Sequence, residues 1–300
     1  YLMARENGVV VGVLPLIDFA VPLRSRRFCS LPYCDLGGCL SDSPEIETLL
    51  LAHAKELSNM NNGQAVDLRT ENPHGDLEGA SKVRMLLDLP DSSEALLAGF
   101  KSKLRSQIQK AKKNGLTANK SLSEEALDDF YSVFSRNMRD LGSPVHARRW
   151  FSALNQYYKE DLVVFTVKLD DTLTGAAIVL INGNKASVPW ASTIAEFNRL
   201  SPNMLLYWTL LEYVADHACQ QFDFGRSTPG EGTYRFKKQW GAEPVPLNWY
   251  TLGHINTNTN APREAPSRNR AREALESVWR KLPLPLANIL GARVRGYISL

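Results

Sequence analysis

At 300 residues the chain is long enough for about two domains of ~150 residues each. Lys plus Arg total 35 against 32 Asp plus Glu, a net charge of +3, with 44% hydrophobic and 22% charged residues. That balance excludes collagen-like, coiled-coil and disulfide-scaffold classes and wholesale disorder. A pI near 8.6 is too mild for a dedicated nucleic-acid binder, and no apolar run approaches the ~18–20 residues needed to cross a bilayer.

The opening Tyr1-Leu2-Met3-Ala4-Arg5 reads as a strand already under way, so the first domain is expected to lack its natural beginning. Residues 1–5 and 9–19 flank Glu6-Asn7-Gly8, and Asn-Gly between apolar runs predicts a hairpin. Cys29, Cys34 and Cys39 lack the two-residue spacing of a zinc knuckle, and Cys219 lies in an apolar helical pattern. Four reduced thiols, no metal and a cytoplasmic location are expected. Leu49, Leu50, His53 and Leu57 predict a helix over 44–60, and 65–69 resumes a strand.

Asp91-Ser92-Ser93-Glu94 provides cap chemistry for a helix expected to run unbroken to Gly115. Its apolar stripe is Leu97, Phe100, Leu104, Ile108 and Ala111. A helix over 123–141 repeats the pattern, with Ser121 and Glu124 spaced for a capping box. A third helix spans 147–158. Strands over 162–169, 176–181 and 186–191 follow, with tight turns at Asp170-Asp171 and Asn182-Gly183-Asn184. Ser201 as cap with Pro202 in the first turn begins a helix to 220. A buried strand, Phe222-Asp223-Phe224, and a strand over 245–252 come next. Residues 255–267 read as a linker, and a last helix covers roughly 268–281. Pro283 and Pro285 break the periodicity beyond it. The fold class is α/β (α+β), with mixed sheets flanked by helices.

Three places could carry chemistry. Residues 101–113 hold six cations (Lys101, Lys103, Arg105, Lys110, Lys112 and Lys113) and no acid, so Lys103 and Lys110 are candidate phosphate contacts. Ser201 and Asn203 start a helix straight after the strand carrying Trp190, where free N–H groups and the positive dipole end suit an anion. The third place is the turn after Phe224, from Gly225-Arg226 to Glu231, with the run Tyr234-Arg235-Phe236-Lys237-Lys238 behind it. It is not a Walker A loop, since Glu231 stands where Lys is required. The Asp-Phe-Gly at 223–225 lacks the other kinase motifs.

Lys103-Leu104-Arg105 with Ile108-Gln109-Lys110-Ala111, Leu200-Ser201-Pro202-Asn203, and 222–227 with 232–237 together resemble the FemAB-like branch of GNAT-fold acyltransferases. The likeness is greatest to the set associated with exosortase and exopolysaccharide systems, and it is best over about 94–252. The resemblance implies tandem GNAT-like domains: 1–93, then 94–254, with 255–267 as linker and 268–300 as a helical tail. It also implies acyl or aminoacyl transfer to an amine of a cell-envelope or exopolysaccharide precursor, and Lys237 in the substrate channel. The chain departs from ordinary GNAT enzymes in lacking a Gln/Arg-x-x-Gly-x-Gly/Ala loop for the acetyl-CoA pyrophosphate.

Amide formation needs a neutral amine and support for a tetrahedral oxyanion. Lys237 and Tyr234 are the candidate donors and Glu231 the candidate base. Asp223 reads rather as a structural acceptor. Arg226, Ser201, Asn203, Trp190, Lys103 and Lys110 are candidate substrate contacts. No tightly bound cofactor is expected. The donor is an acyl-CoA or an aminoacyl-tRNA, the acceptor bears an amine, and DNA is not a partner. The basic apolar tail is expected to pack onto the protein rather than on a membrane. The alternative is a non-catalytic GNAT-fold module that binds an anion through 101–113.

Overall fold

The computed structural model describes residues 1–19, 27–61, 65–71, 82–252 and 266–298, and the chain divides into two compact units. The first comprises Tyr1–Val83, Val245–Asn269 and Gly296–Leu300; the second comprises Arg84–Pro244 and Arg270–Arg295.

In the first unit, β1 (Leu2–Glu6) and β2 (Val9–Leu14) form the expected hairpin. Asn7 and Gly8 both have positive φ, +50° and +82°, as a type I′ turn requires. The apolar run to residue 19 is two strands rather than one. Pro15 stands after β2, and β3 (Ile17–Phe19) leaves for the other sheet, because proline cannot donate to a ladder. β4 (Arg27–Cys29) pairs antiparallel with β3 and parallel with β6 (Ala65–Thr70), while β5 (Leu40–Ser41) pairs with β2. Helix α1 (Pro44–Met60) opens with Ser43 Oγ accepting from Ile46 N, and buries Leu50 and Ala54 against Leu14, Val66 and Leu68.

The second unit is a mixed sheet in the order β7-β12-β11-β10-β9-β8 with helices packed on it. β7 (Lys82–Asp88) and β8 (Leu116–Ser121) are strands that periodicity alone did not single out. Between them the stripe over 97–111 is broken. α2 is Ser93–Gly99 and α3 is Ser102–Lys113, with Phe100 extended at φ −72°, ψ 145°. The break lets Phe100 bury its ring edge-on against Trp208 (6.1 Å) and Trp240 (5.6 Å), which outweighs continuing one helix through Gly99.

Helix α4 (Glu124–Leu141) is capped by Ser123, whose hydroxyl accepts from Ala126 N, not by Ser121; the latter accepts from Ser123 N one turn too early. Gly142 at φ +80° closes it. With α5 (Arg148–Tyr158) it buries Leu127, Phe130, Phe134 and Phe151 on β9 (Leu162–Leu169) and β10 (Thr172–Asn182). β9 reads as an unbroken apolar run because both its faces are covered: Phe165 meets Tyr213 of α6 (Pro202–Asp216). That helix stops four residues short of expectation, where His217 is its C-cap and Ala218 has φ +57°.

β11 (Lys185–Thr193) and β12 (Gln221–Ser227) are parallel neighbours, followed by α7 (Gly232–Lys238) and β13 (Glu243–Leu252). Residues 248–252 of β13 pair with β6 of the first unit, whereas the linear reading grouped them with the second domain. Most of the expected linker lies outside the described residues. The tail forms α8 (Pro266–Arg280) and a further helix, α9 (Leu284–Val294). Pro283 and Pro285 begin this helix rather than forbid it, since the first turn needs no N–H from them. α9 sets Gly291 so close to Val145 that an added Cβ would lie 2.9 Å from the Val145 nitrogen.

Candidate active site

β11 and β12 are in register over three pairs only, Lys185–Gln221, Ala186–Phe222 and Ser187–Asp223. Beyond them Val188–Thr193 and Phe224–Ser227 continue as strands without pairing to each other. The two strands thus part after Ser187 and Asp223. Phe222 and Phe224 are fully buried, as an interior strand requires. Phe224 stacks on Tyr207 of α6 at 5.7 Å, and Tyr207 in turn meets Phe236 of α7 at 4.9 Å. Burial pushes the Tyr207 phenol up to about 12, so it stays protonated.

Gly225 has φ +75°, which upsets the alternation of the strand and turns two consecutive carbonyls the same way. Lys237, only 8% exposed, donates from Nζ to Gly225 O (3.1 Å) and Arg226 O (2.8 Å). Asp223 keeps the bulge in shape from the other side. Its Oδ1 accepts from Gly225 N at 2.7 Å, and its Oδ2 accepts from Arg84 Nε and Nη2, each at 2.9 Å. Both carboxylate oxygens are thus occupied in structural bonds. Ser227 closes the strand with a buried hydroxyl that has no hydrogen-bond partner among the described residues.

Helix periodicity left open which lysine shares a face with Tyr234. It is Lys238, whose ammonium lies 5.9 Å from the Tyr234 ring, while Lys237 turns inward. Glu231 is exposed at the start of α7 and makes no cap bond. Arg226 is half-buried in β12.

Trp190 stands in the unpaired half of β11 but packs toward α5, edge-on to Phe151 (5.2 Å) and His146 (6.4 Å). Ser201 occupies the N-cap position of α6 with φ 64°, ψ 47° and makes no side-chain cap bond. A left-handed backbone does not present the hydroxyl to the first N–H groups as an extended cap does. Asn203 is half-buried one turn before Tyr207, so the head of α6 and α7 are joined through that ring. Lys103 and Lys110 are exposed on α3. The C-cap of α3, Asn114, donates from Nδ2 to Leu200 O at 3.2 Å and holds the end of this basic helix against the head of α6.

Sequence reasoning missed Tyr207, the Arg84–Asp223 pair and Ser227. Tyr207 lies inside an apolar helix, and Arg84 is separated from its partner by 139 residues, so neither carried a local signal.

The mixed sheet flanked by helices, with its parallel β11–β12 pair parting toward one end, has the GNAT fold. Residues 98–238 match a family model described as an acetyltransferase (GNAT) domain, spanning α3 to α7. Among solved structures the chain is similar to FemX, with a TM-score of 0.61 and 16% identity over 91% of this chain and 89% of that one. It is also similar to the C-terminal domain of a putative lysylphosphatidylglycerol synthetase from Agrobacterium fabrum (0.57, 11%, 93% and 87%). A third similarity is to a tandem GNAT protein from the clavulanic acid biosynthesis pathway (0.50, 15%, 85% and 83%). No protein of curated function matches the sequence. At these identities the structures establish the shared fold.

Proposed function

We propose that this FemAB-like acyltransferase moves an activated acyl or aminoacyl group onto an amine of a cell-envelope or exopolysaccharide precursor, in the cleft between β11 and β12. The observation that carries the reading is the buried Lys237 ammonium at the mouth of the separated strands, inside the GNAT-matched segment. The likeness to FemX and to a lysylphosphatidylglycerol synthetase supports aminoacyl transfer over simple acetylation.

In this reading an amine attacks the acyl carbon, a tetrahedral oxyanion forms, and its collapse makes the amide while breaking the bond to the CoA sulfur or to the tRNA ribose oxygen, which leaves as the protonated thiol or hydroxyl. The Lys237 ammonium, already held by two carbonyls, stabilises that charge without reorganising. Arg226 and the head of α6 with Ser201 and Asn203 hold the donor. Tyr234 lines the entrance, Glu231 takes up the proton the amine gives up, and Trp190 shapes the wall behind the cleft. The donor is a substrate, either an acyl-CoA or an aminoacyl-tRNA.

The test is incubation of the full chain with charged tRNA and, separately, with labelled acyl-CoA thioesters, in the presence of amine-bearing peptidoglycan and glycan precursors. Product masses report transfer. Transfer that survives Lys237→Met unchanged would remove the site from this cleft. Absence of transfer from either donor class to any such amine would remove the substrate assignment.

A further inference from the structure

The start of helix α3 is built against its own stability. α1, α2 and α4 each begin on a serine that caps them, with acids in the first turn: Glu45 and Glu47, Glu94, and Glu124 and Glu125. Such acids complement the positive end of the helix dipole. α3 begins on Lys101, makes no side-chain cap bond, and places Lys103 and Arg105 in its first turn with no acid. Where α5 also begins with arginine, Arg148 is neutralised by Asp128 (2.7 Å) and Glu124 (3.1 Å). Among the described residues neither Lys101 nor any of the five cations of α3 forms an ion pair.

Their arrangement is ordered. Leu104, Ile108 and Ala111 face the core. At 100° per residue, Ser102, Ser106, Gln109 and Lys113 run down the opposite side. Lys103 and Lys110 lie along one flank and Arg105 and Lys112 along the other. An open space of about 540 Å³ lies over this face among Ser102, Arg105, Ser106, Gln109, Lys110 and Lys113. Hydrogen-bonding side chains between two rows of cations match the oxygens and charges of a phosphate chain. The face is about 18 Å long, more than a single diphosphate occupies. It has no apolar side chain to enter a bilayer and no aromatic to stack on a base. It therefore suits a backbone held in a fixed helical form.

We propose that the outer face of α3 docks the phosphodiester backbone of double-helical RNA by phosphate contacts alone, with the α6 end of α3 nearest the cleft. The choice of RNA rests on the acyl-transfer reading, since an aminoacyl donor arrives on one. The binding itself can be measured without any transfer, so the two readings fail separately.

The experiment uses the full chain and a labelled RNA hairpin in fluorescence anisotropy, from about 50 to 200 mM salt. Each phosphate contact contributes about 0.9 to the slope of log affinity against log salt. Lys103→Gln, Lys110→Gln and Lys113→Gln together are expected to flatten that slope by about 2–3 units. A control set on exposed lysines elsewhere, Lys55→Gln, Lys185→Gln and Lys281→Gln, is expected to leave it unchanged. Lys103→Glu is expected to weaken RNA binding yet raise the melting temperature, because it restores the acid that the helix start lacks. Equal losses in both sets, an unchanged slope, or binding to anionic phospholipid vesicles but not to RNA would overturn the proposal.

Discussion

Replacing Lys237 with Met separates the structural and chemical roles of this lysine. The side chain is almost fully buried and its ammonium bonds two carbonyls, at 3.1 and 2.8 Å. Hydrogen bonds from a charged donor contribute about 1.5–3 kcal/mol each, so losing both costs about 3–6 kcal/mol before compensation. Met fills much of the same volume and removes the cost of keeping a charge out of water, which returns part of that sum. A net loss of about 2–3 kcal/mol follows, or a fall in melting temperature of roughly 5–10 °C for a domain of this size. If the same ammonium also faces the oxyanion, turnover per folded molecule drops a further ~10²–10³-fold. Urea unfolding, followed by transfer kinetics at a temperature where the variant is fully folded, reads the two effects apart. Lys238→Ala, with an exposed ammonium, serves as the neutral comparison in both assays. A variant that unfolds earlier but turns over normally when folded would refute the chemical role. One as stable as the parent would refute the account of the bulge.

His146 is held down to about 4 by burial first and by the Arg295 charge second. Its folded value lies below its unfolded value near 6.5, so the unfolded chain takes up the proton first, and stability present above pH 6.5 is lost as the pH falls toward 4. The loss should reach about 3 kcal/mol in denaturant titrations, and His146→Phe should remove this part of the slope; an unchanged slope would mean the ring is not neutral and enclosed. Phe100→Ala should cost about 3–5 kcal/mol, because the ring fills the gap between Trp208 and Trp240; a loss below about 1 kcal/mol would show that the break between α2 and α3 has another cause. Gly291→Val should detach α9 from the Val145 backbone, 2.9 Å from the added carbon, and increase proteolysis of the tail without affecting the core around Phe130 and Phe151. Equal protease resistance would argue against that packing.

Local chemistry made the helices α1 and α4, the Asn7-Gly8 hairpin and the interior strand Phe222–Phe224 legible in the sequence. Cap serines, two residues of positive φ and apolar spacing act within a few residues of one another, and no distant partner overrides them. The basic face of α3 was legible for the same reason. Tertiary structure alone decided the rest. A continuous apolar stripe over 97–111 gave way to a break because two tryptophans from elsewhere in the chain enclose Phe100. β7 and β8 acquired partners only from strands distant in sequence. The final segment of β13 joined β6, 178 residues away at the Asn248–Thr70 pair. The direction of Lys237 depended on where Gly225 and Arg226 aim their carbonyls, and that depended on Asp223 tied to Arg84 across 139 residues. A side chain's neighbours along the chain set its local conformation, whereas its hydrogen-bond partner and its access to a substrate depend on which distant backbone groups the sheet brings to it.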